Sequence, residues 1–282
     1  MPGGIGLWGG FLDRLPAAEA VAAVRDVEQA GMGTVWLPEF SGVDPFVRAA
    51  LYLGATESLT VAFGVATIHA RDAEAMVAVA STLHEAFPGR VAFGLGVSHR
   101  GLAEARGGTY RSPLATMRTY LTDMAAASGE RELPPLFLGA LGPKMVEVAA
   151  TMTAGAHTYF CPVTHTRTVR AAVGVSPWIA PSQMVALDAR AGSWRDGPRR
   201  YLGMCLAMPN YRSNLLRLGF SAADLATRSD ELVDALVVAD QPGPLRERLQ
   251  LHREAGADHV VLQLVPPPAA ATVLERVAQG LG

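Results

Sequence analysis

A helix-to-strand junction near the carboxyl end of the chain reads Ala255-Gly256-Ala257-Asp258-His259-Val260-Val261-Leu262-Gln263-Leu264-Val265-Pro266. Its Ala-Gly pair is typical of a helix that ends on a left-handed glycine. The apolar run that follows predicts a buried strand, and this strand is expected to stop at Pro266 because proline cannot continue a central strand. The pairs Ala30-Gly31 and Ala154-Gly155 precede similar runs that stop at Pro38 and Pro162. The chain therefore repeats one helix-turn-strand unit.

Short β-rich runs alternate with longer Ala-rich stretches of helical character, which is the pattern of parallel βαβ units. Eight is the strand number of a (β/α)8 TIM barrel, and we predict one such α/β domain over residues 1–282. A doubly wound open sheet uses the same units and stays an alternative on periodicity alone. Asn210–Leu216 is predicted as an extra helical insertion after strand seven, serving the site or a subunit contact. The predicted strands are Ile5–Trp8, Thr34–Leu37, Thr60–Val65, Val91–Leu95, Leu136–Leu138, His157–Phe160, Met184–Leu187 and His259–Val265.

The composition excludes several classes of partner. Lys and Arg number 24 and Asp and Glu 26, a net charge of −2 without a basic run, so we expect a small-molecule substrate, no nucleic acid and no membrane. Cys161 and Cys205 lack metal-site spacing, and HExxH and GxSxG motifs do not occur in the sequence, so no metal and no hydrolase site are expected. The amino terminus has no signal-peptide pattern, and a reducing cytoplasm is the simplest compartment.

Two glycine-rich stretches resemble nucleotide loops only superficially. Gly4–Gly9 matches GxGxxG, but it lacks the preceding strand and following helix that a dinucleotide site needs. Gly94-Leu95-Gly96-Val97-Ser98-His99 follows a strand, and glycines at alternate positions there allow either a close approach of backbone to ligand or close packing inside the barrel. The sequence leaves both interpretations open.

The loop Gly139-Ala140-Leu141-Gly142-Pro143-Lys144-Met145 joins a strand to a helix predicted over Met145–Ala150. Proline suits a first helical turn, and the free N–H groups of a helix start, with Lys144 beside them, attract an anion. The loop therefore predicts a site for the phosphate of a cofactor. The competing interpretation is an ordinary turn with a solvated lysine.

Polar and aromatic side chains gather at or just past the predicted carboxyl ends of strands, where barrel active sites lie. Several such residues together indicate a lined pocket, whereas one alone would indicate nothing. The remaining histidines, His84, His157, His252 and His259, lie within predicted helices or at strand starts and are expected to be structural. The pocket candidates are Trp8, Glu39, Thr67, His69, His99, Tyr159 and His165.

Several of these stretches, taken in order, resemble the luciferase-like monooxygenase superfamily, and within it the F420-dependent oxidoreductases of actinobacterial type. The resemblance covers nearly the whole chain. The stretches that carry it are Gly6-Leu7-Trp8, Leu37-Pro38-Glu39, Gly64-Val65-Ala66-Thr67-Ile68-His69-Ala70-Arg71-Asp72, Gly94–His99, Ala140–Met145, Pro209-Asn210-Tyr211-Arg212 and Ala255–Val260.

The resemblance implies a barrel whose cofactor, coenzyme F420 or alternatively FMN, lies at the carboxyl ends of the strands. It also implies a cis peptide bond at Gly64–Val65 or next to it, in a bulge against the cofactor ring, and a tendency to form homodimers. The residues that it implies for cofactor binding are Val65, Ala66 and Thr67 under the ring, Gly96, Val97 and Ser98 along the side chain, and Ala140, Leu141, Gly142, Pro143, Lys144 and Met145 at the phosphate.

The sequence departs from the sugar-phosphate dehydrogenases of the family, because Glu39-Phe40 stands where they have an Asp-His pair and His99 where they have a glutamate. A more apolar substrate pocket is therefore expected, lined by Trp8, Phe40, His69, Tyr159 and His165. We expect hydride transfer between the deazaflavin and a small organic substrate, with His99 as proton donor and Glu39 as cofactor or substrate contact. A two-component flavin monooxygenase using FMN and a non-catalytic cofactor-binding protein are the alternatives.

Overall fold

The computed structural model describes residues 1–40, 42–187 and 194–279. Its centre is a closed barrel of parallel strands, because β1 pairs with β2 on one side and with β10 on the other, and β10 also pairs with β8. The strands are β1 (Gly4–Trp8), β2 (Thr34–Leu37), β3 (Thr60–Phe63), β4 (Ala66–Thr67), β5 (Val91–Gly96), β6 (Leu136–Gly139), β7 (Gly155–Thr158), β8 (Trp178–Ala186), β9 (Val237–Ala239) and β10 (His259–Val265).

Helices surround the barrel and follow most of its strands. Those at the outside bury one apolar stripe against it, as α1 does with Ala20, Val24 and Val27. The helices are α1 (Ala17–Gln29), α2 (Pro45–Ala55), α3 (Ala73–Ala86), α4 (Arg100–Ala105), α5 (Pro113–Ser128), α6 (Pro143–Met152), α7 (Val163–Val173), α8 (Asp196–Leu206), α9 (Pro209–Arg217), α10 (Ala222–Thr227), α11 (Asp230–Leu236), α12 (Pro242–Glu254) and α13 (Ala270–Ala278).

The predicted TIM barrel is confirmed, with eight strand positions in its wall among the described residues. The third position is shared by β3 and β4, which lie on either side of the Gly64–Val65 bond, while β9 pairs only with the end of β8. The helical insertion after strand seven is also observed, since α8 to α11 lie between β8 and β9.

Two predicted details of strands six and seven are wrong. Gly155 is the first residue of β7 rather than a left-handed helix cap, and a Cβ there would overlap the carbonyl oxygen of Trp178. The seventh strand begins at Trp178 instead of Met184. Pro181 lies inside this strand. It forms the last pair with β7, opposite Thr158, and pairing with β10 begins at the next residue, so the missing N–H of Pro181 does not interrupt the middle of either ladder.

The barrel interior below the site is filled by aromatic rings. Trp36 and Trp178 stack with interplanar angle 2° and ring centroids 6.1 Å apart. The Trp36 indole N–H donates to Nε2 of His259 at 3.0 Å, and His259 donates from Nδ1 to the carbonyl of Gly3 at 3.1 Å. The Trp178 indole N–H donates to the carbonyl of Pro2. The amino-terminal residues thus close the lower end of the barrel, and the upper end is left for a site.

No helix in the described part of the chain combines the length and the apolar character that crossing a membrane requires.

Candidate active site at the carboxyl ends of the strands

The third barrel strand is interrupted between β3 and β4 at a cis peptide bond joining Gly64 and Val65, where the resemblance implied one. The Val65 side chain next to this bond occupies the space that a Cβ on Gly96 would fill. The same side chain lies 3.2 Å from the point where a Cβ on Gly139 would be. A Cβ on Gly94 would likewise overlap the backbone of Phe63 and the ring of Phe137. These glycines make room for Val65 and Phe137, as the close-packing interpretation requires. The role of Gly96 in cofactor binding stays a prediction.

An aromatic wall, consisting of Trp8, Tyr159 and Tyr211, rises beside this bulge. Ring centroids lie 5.6 Å apart for Trp8 and Tyr159 and 5.7 Å apart for Tyr159 and Tyr211. Trp8 ends β1, Tyr159 follows β7 and Tyr211 comes from α9, so the insertion completes the wall. Aromatic surfaces of this kind suit the flat face of a ring system or an apolar substrate.

His99 extends the aromatic wall and is held by the same insertion. Its ring contacts Tyr211 edge-on at 5.2 Å, and its Nδ1 lies 3.1 Å from the amide oxygen of Asn210. An amide oxygen only accepts, so Nδ1 carries the proton and the neutral ring presents Nε2 as an acceptor. Burial lowers the pKa of His99 below its ordinary value, against a smaller opposing effect of the Asn210 hydrogen bond. The neutral form is therefore favoured.

The predicted phosphate loop lies at the start of α6, two strand positions beyond the bulge. Gly142 is the residue before the helix, Pro143 opens its first turn, and no side chain caps the free N–H groups. The residues before the helix are partly buried, while Lys144 is exposed. An uncapped helix start has a positive end that favours an anion. Gly139 of the same loop touches Val65, so the anion site and the bulge are neighbours.

Comparison with known proteins identifies the family of this chain. The family model for luciferase-like monooxygenase matches residues 9–259. The chain belongs to the luciferase-like monooxygenase family. Its TIM-barrel fold is shared with solved structures of similar length.

Individual relatives of this luciferase-like protein are distant. A 5,10-methylenetetrahydromethanopterin reductase from Methanolobus tindarius is 25% identical over 166 residues, a match that spans 51% of each chain. An F420-dependent secondary alcohol dehydrogenase in complex with an F420-acetone adduct shares the fold with TM-score 0.76 at 13% identity, over 99% of this chain and 98% of the other. The oxygenating constituent of 3,6-diketocamphane monooxygenase from Pseudomonas putida, in complex with FMN, gives TM-score 0.72 at 12% identity, over 98% and 96%.

Both carboxylate oxygens of Glu39 in this luciferase-like barrel accept hydrogen bonds from other groups of the protein. Its side chain is 4% exposed, one oxygen pairs with Arg71 at 2.7 Å, and the other accepts the Thr67 backbone N–H at 2.7 Å. Arg71 also binds Asp44, the residue that caps α2. The carboxylate therefore links the segment after β2 to Thr67 of β4 by a hydrogen bond. Its predicted contact with cofactor or substrate stays a prediction, and the geometry gives it a supporting position beneath Thr67.

The other predicted pocket residues are not all brought together. Phe40 is 56% exposed, and its carbonyl oxygen accepts from Arg106. His69 faces Tyr110, with ring centroids 6.1 Å apart. His165 lies inside α7, buried, rather than at a strand end. Of the predicted pocket residues, Trp8, Tyr159 and His99 therefore lie together at the aromatic wall. Phe40, His69 and His165 lie at separate positions.

Most of the remaining predicted cofactor residues lie in a short strand or directly after strands. Ala66 and Thr67 form β4, both buried, and Val97 and Ser98 come directly after β5 and are partly exposed. Ser98 has a left-handed backbone with φ of 58°, which is uncommon for a residue with a side chain and is found more often at functional sites. Ala140 and Met145 are buried and partly buried.

A hydrogen-bonded chain behind the aromatic wall was not predicted. Gln263 of β10 donates to the Tyr201 hydroxyl at 2.8 Å, and that hydroxyl lies 2.9 Å from the Tyr159 hydroxyl. Burial raises the pKa of Tyr159 well above its ordinary value, so both phenols stay protonated. Tyr201 comes from α8, so the chain joins the insertion to the barrel interior. Within the described residues, no cluster of three or more His, Cys, Asp or Glu side chains could hold a metal ion.

Proposed function

We propose that this protein is an F420-dependent oxidoreductase that transfers a hydride between the deazaflavin ring and a small organic substrate. The observation that carries the proposal is the contact of Val65 with Gly139. This contact joins the interrupted third strand to the loop that leads into the uncapped start of α6. A planar ring and a phosphate are the two parts of a flavin-type cofactor, and these two neighbouring features fit them.

The choice of F420 over FMN rests on relatives and motifs. The sequence stretches quoted above resemble the F420 branch of the family, and the alcohol dehydrogenase that shares the fold was solved with an F420 adduct. FMN is the second candidate, since one structural neighbour was solved with FMN. The helix start would serve the phosphate of either molecule.

The residues of the chain would provide orientation and one proton site. When bound, the deazaflavin supplies the hydride acceptor or donor. His99 Nε2 is placed to accept a proton from a substrate hydroxyl, because Asn210 fixes the proton on Nδ1. This role reverses the donor role expected from sequence and favours oxidation of an alcohol. Trp8 and Tyr159 would exclude water and cover apolar parts of the substrate.

A side-by-side fluorescence titration tests the cofactor. We expect F420 to bind at least about tenfold more tightly than FMN, a difference of about 1.4 kcal/mol in binding free energy. Tighter binding of FMN, together with oxygen consumption when reduced FMN is supplied, would replace the proposal with the flavin monooxygenase alternative. If neither molecule binds, the proposal is wrong.

Turnover is measured separately, with bound F420 and a panel of small alcohols, and with reduced F420 and the corresponding ketones. The expected result is a change in F420 absorbance faster than in the same mixture without protein. Binding without any such change across the panel would instead support the non-catalytic alternative.

We also propose a homodimer. The outer face of α2 exposes Val47 (62%) and Leu51 (43%), one turn apart, and Phe40 (56%) precedes the helix. A second copy of the chain would cover these apolar side chains. Light scattering is expected to report about twice the chain mass of 29.7 kDa, and a monomer mass at micromolar concentration would contradict the proposal.

A further inference from the structure

One face of α9 borders the mouth of the barrel from end to end. Asn210, Asn214 and Arg217 are spaced i, i+4 and i+7, which places them on the same side of the helix. Asn210 binds His99 after β5, and the Asn214 amide N–H lies 3.5 Å from Cys161 Sγ after β7. Arg217 reaches the start of α6, with one guanidinium nitrogen 3.8 Å from the Cβ position of Gly142. This helix therefore connects the His99 end of the site to the predicted phosphate loop.

The span of that helix matches the side chain of a flavin-type cofactor. Seven residues at 1.5 Å each separate Asn210 from Arg217 by roughly 10 Å along the axis. A five-carbon chain that ends in a phosphate has a similar length, roughly 9 Å for seven bonds of about 1.5 Å in zigzag. A cofactor with its ring near His99 and its phosphate at Gly142 would lie along this face.

The loop end of α9 has unused hydrogen-bonding capacity. Arg217 donates to Asn214 Oδ1 at 2.7 Å, but in the described part of the chain no carboxylate pairs with its guanidinium. Burial lowers the pKa of His165, and the nearby positive charge of Arg217 lowers it further. His165 is 4% exposed, and neither of its ring nitrogens has a hydrogen-bond partner. A buried imidazole without a partner is costly unless a ligand or water satisfies it.

We propose that Arg217 is a binding residue for the cofactor phosphate, acting together with the N–H groups at the start of α6. The inference rests on the proposed function, because it assumes a cofactor that carries a phosphate. Arg217 would thus add a second positive charge, besides that of Lys144, to the anion held by the backbone groups. The inserted helix α9 then recognises both ends of the cofactor.

Paired ligands with and without the phosphate test this role. The probes are FMN and riboflavin, which differ by the phosphate alone, and F420 and the deazaflavin that keeps the ribityl chain but lacks the phosphate and the groups attached through it. Each is titrated by fluorescence against wild-type protein and Arg217→Gln. A charge-assisted hydrogen bond contributes enough to predict an affinity loss of about 10- to 100-fold for the phosphate-bearing member of the preferred pair. The phosphate-free member is expected to change by less than about twofold.

Two further variants serve as controls. Arg212 and Arg217 are both exposed side chains of α9, but Arg217 is the one that reaches the start of α6. Arg212→Gln removes a charge from the same helix and should bind all four probes as the wild type does. Arg217→Lys keeps the charge without the planar fork and should recover part of the lost affinity. Circular dichroism and thermal unfolding establish that each variant is folded.

The outcomes separate the inference from the proposed function. If Arg217→Gln weakens both members of a pair equally, or neither, Arg217 does not bind the phosphate and the inference is overturned while cofactor binding stands. If the wild-type protein binds none of the probes, the proposed function fails and the inference fails with it. A loss confined to the phosphate-bearing members, recovered in part by lysine, supports it.

Discussion

Gly94→Ala is expected to lower the free energy of unfolding by about 3 kcal/mol or more, at the upper end for adding a methyl group to a packed core. The added Cβ would overlap the backbone carbonyl of Phe63 on one side and the ring of Phe137 on the other. Phe137 could rotate, but the carbonyl belongs to a neighbouring barrel strand and cannot move without disturbing its pairing. The substitution is therefore expected to destabilise the native state by disturbing the pairing between barrel strands.

Urea unfolding followed by circular dichroism measures this loss. Gly33→Ala is the matched control, because Gly33 precedes a barrel strand, has no atom within 4 Å of its Cβ position and does not need a positive φ. That variant should change the stability by less than about 1 kcal/mol, toward stabilisation. If Gly94→Ala unfolds at the same urea concentration as the wild type, the close-packing interpretation of this glycine is wrong.

The fold could be predicted from local sequence because each barrel unit carries its own signals. Gly31 and Gly256 have φ of 86° and 95°, the left-handed values that the Ala-Gly pairs predicted. Pro38 and Pro266 directly follow their strands. The prediction failed at Gly155, although the same Ala-Gly pair occurs there. This glycine is required because a Cβ would overlap the carbonyl oxygen of Trp178 on the neighbouring strand, a contact that local sequence does not show.

The site was predictable only in part, because its second half comes from the insertion. Trp8, Tyr159 and His99 lie at or just past the carboxyl ends of strands, and this position marks them in the sequence. Tyr201 and Arg217 lie on helices whose position over the barrel has no local signal. The Pro209–Arg212 stretch was recognised through resemblance, but its contact with His99 is a property of tertiary packing. Glu39 shows the converse, since a strand-end carboxylate proved to be fully bonded within the protein.

Acidification is expected to unfold this protein before pH 4, through four buried histidines. Burial lowers the pKa of His157, His165, His252 and His259 to about 4 in each case. In the unfolded chain a histidine titrates near pH 6.5. Between these values the unfolded state binds more protons than the native state, so the free energy of unfolding falls as the pH falls.

The size of the effect follows from the number of protons. Near pH 5 the four histidines account for an excess of almost four protons in the unfolded state. Asp13 opposes them, because burial raises its pKa to about 6 and the native state then holds up to one extra proton. About three net protons give a slope of about 4 kcal/mol per pH unit. A domain stabilised by 5–15 kcal/mol would lose most of that stability between about pH 6.5 and 4.

Urea unfolding at half-unit steps from pH 7.5 to 4.5 measures the slope, and two variants should move it in opposite directions. His157→Phe removes one acceptor of protons from the unfolded chain and should reduce the slope by about 1 kcal/mol per pH unit. Asp13→Asn removes the opposing group and should make the slope steeper. Stability independent of pH between 6.5 and 5 would contradict the burial of neutral histidines. A general loss of stability in a variant shifts the whole curve without changing its slope, so only proton linkage can produce changes of opposite sign.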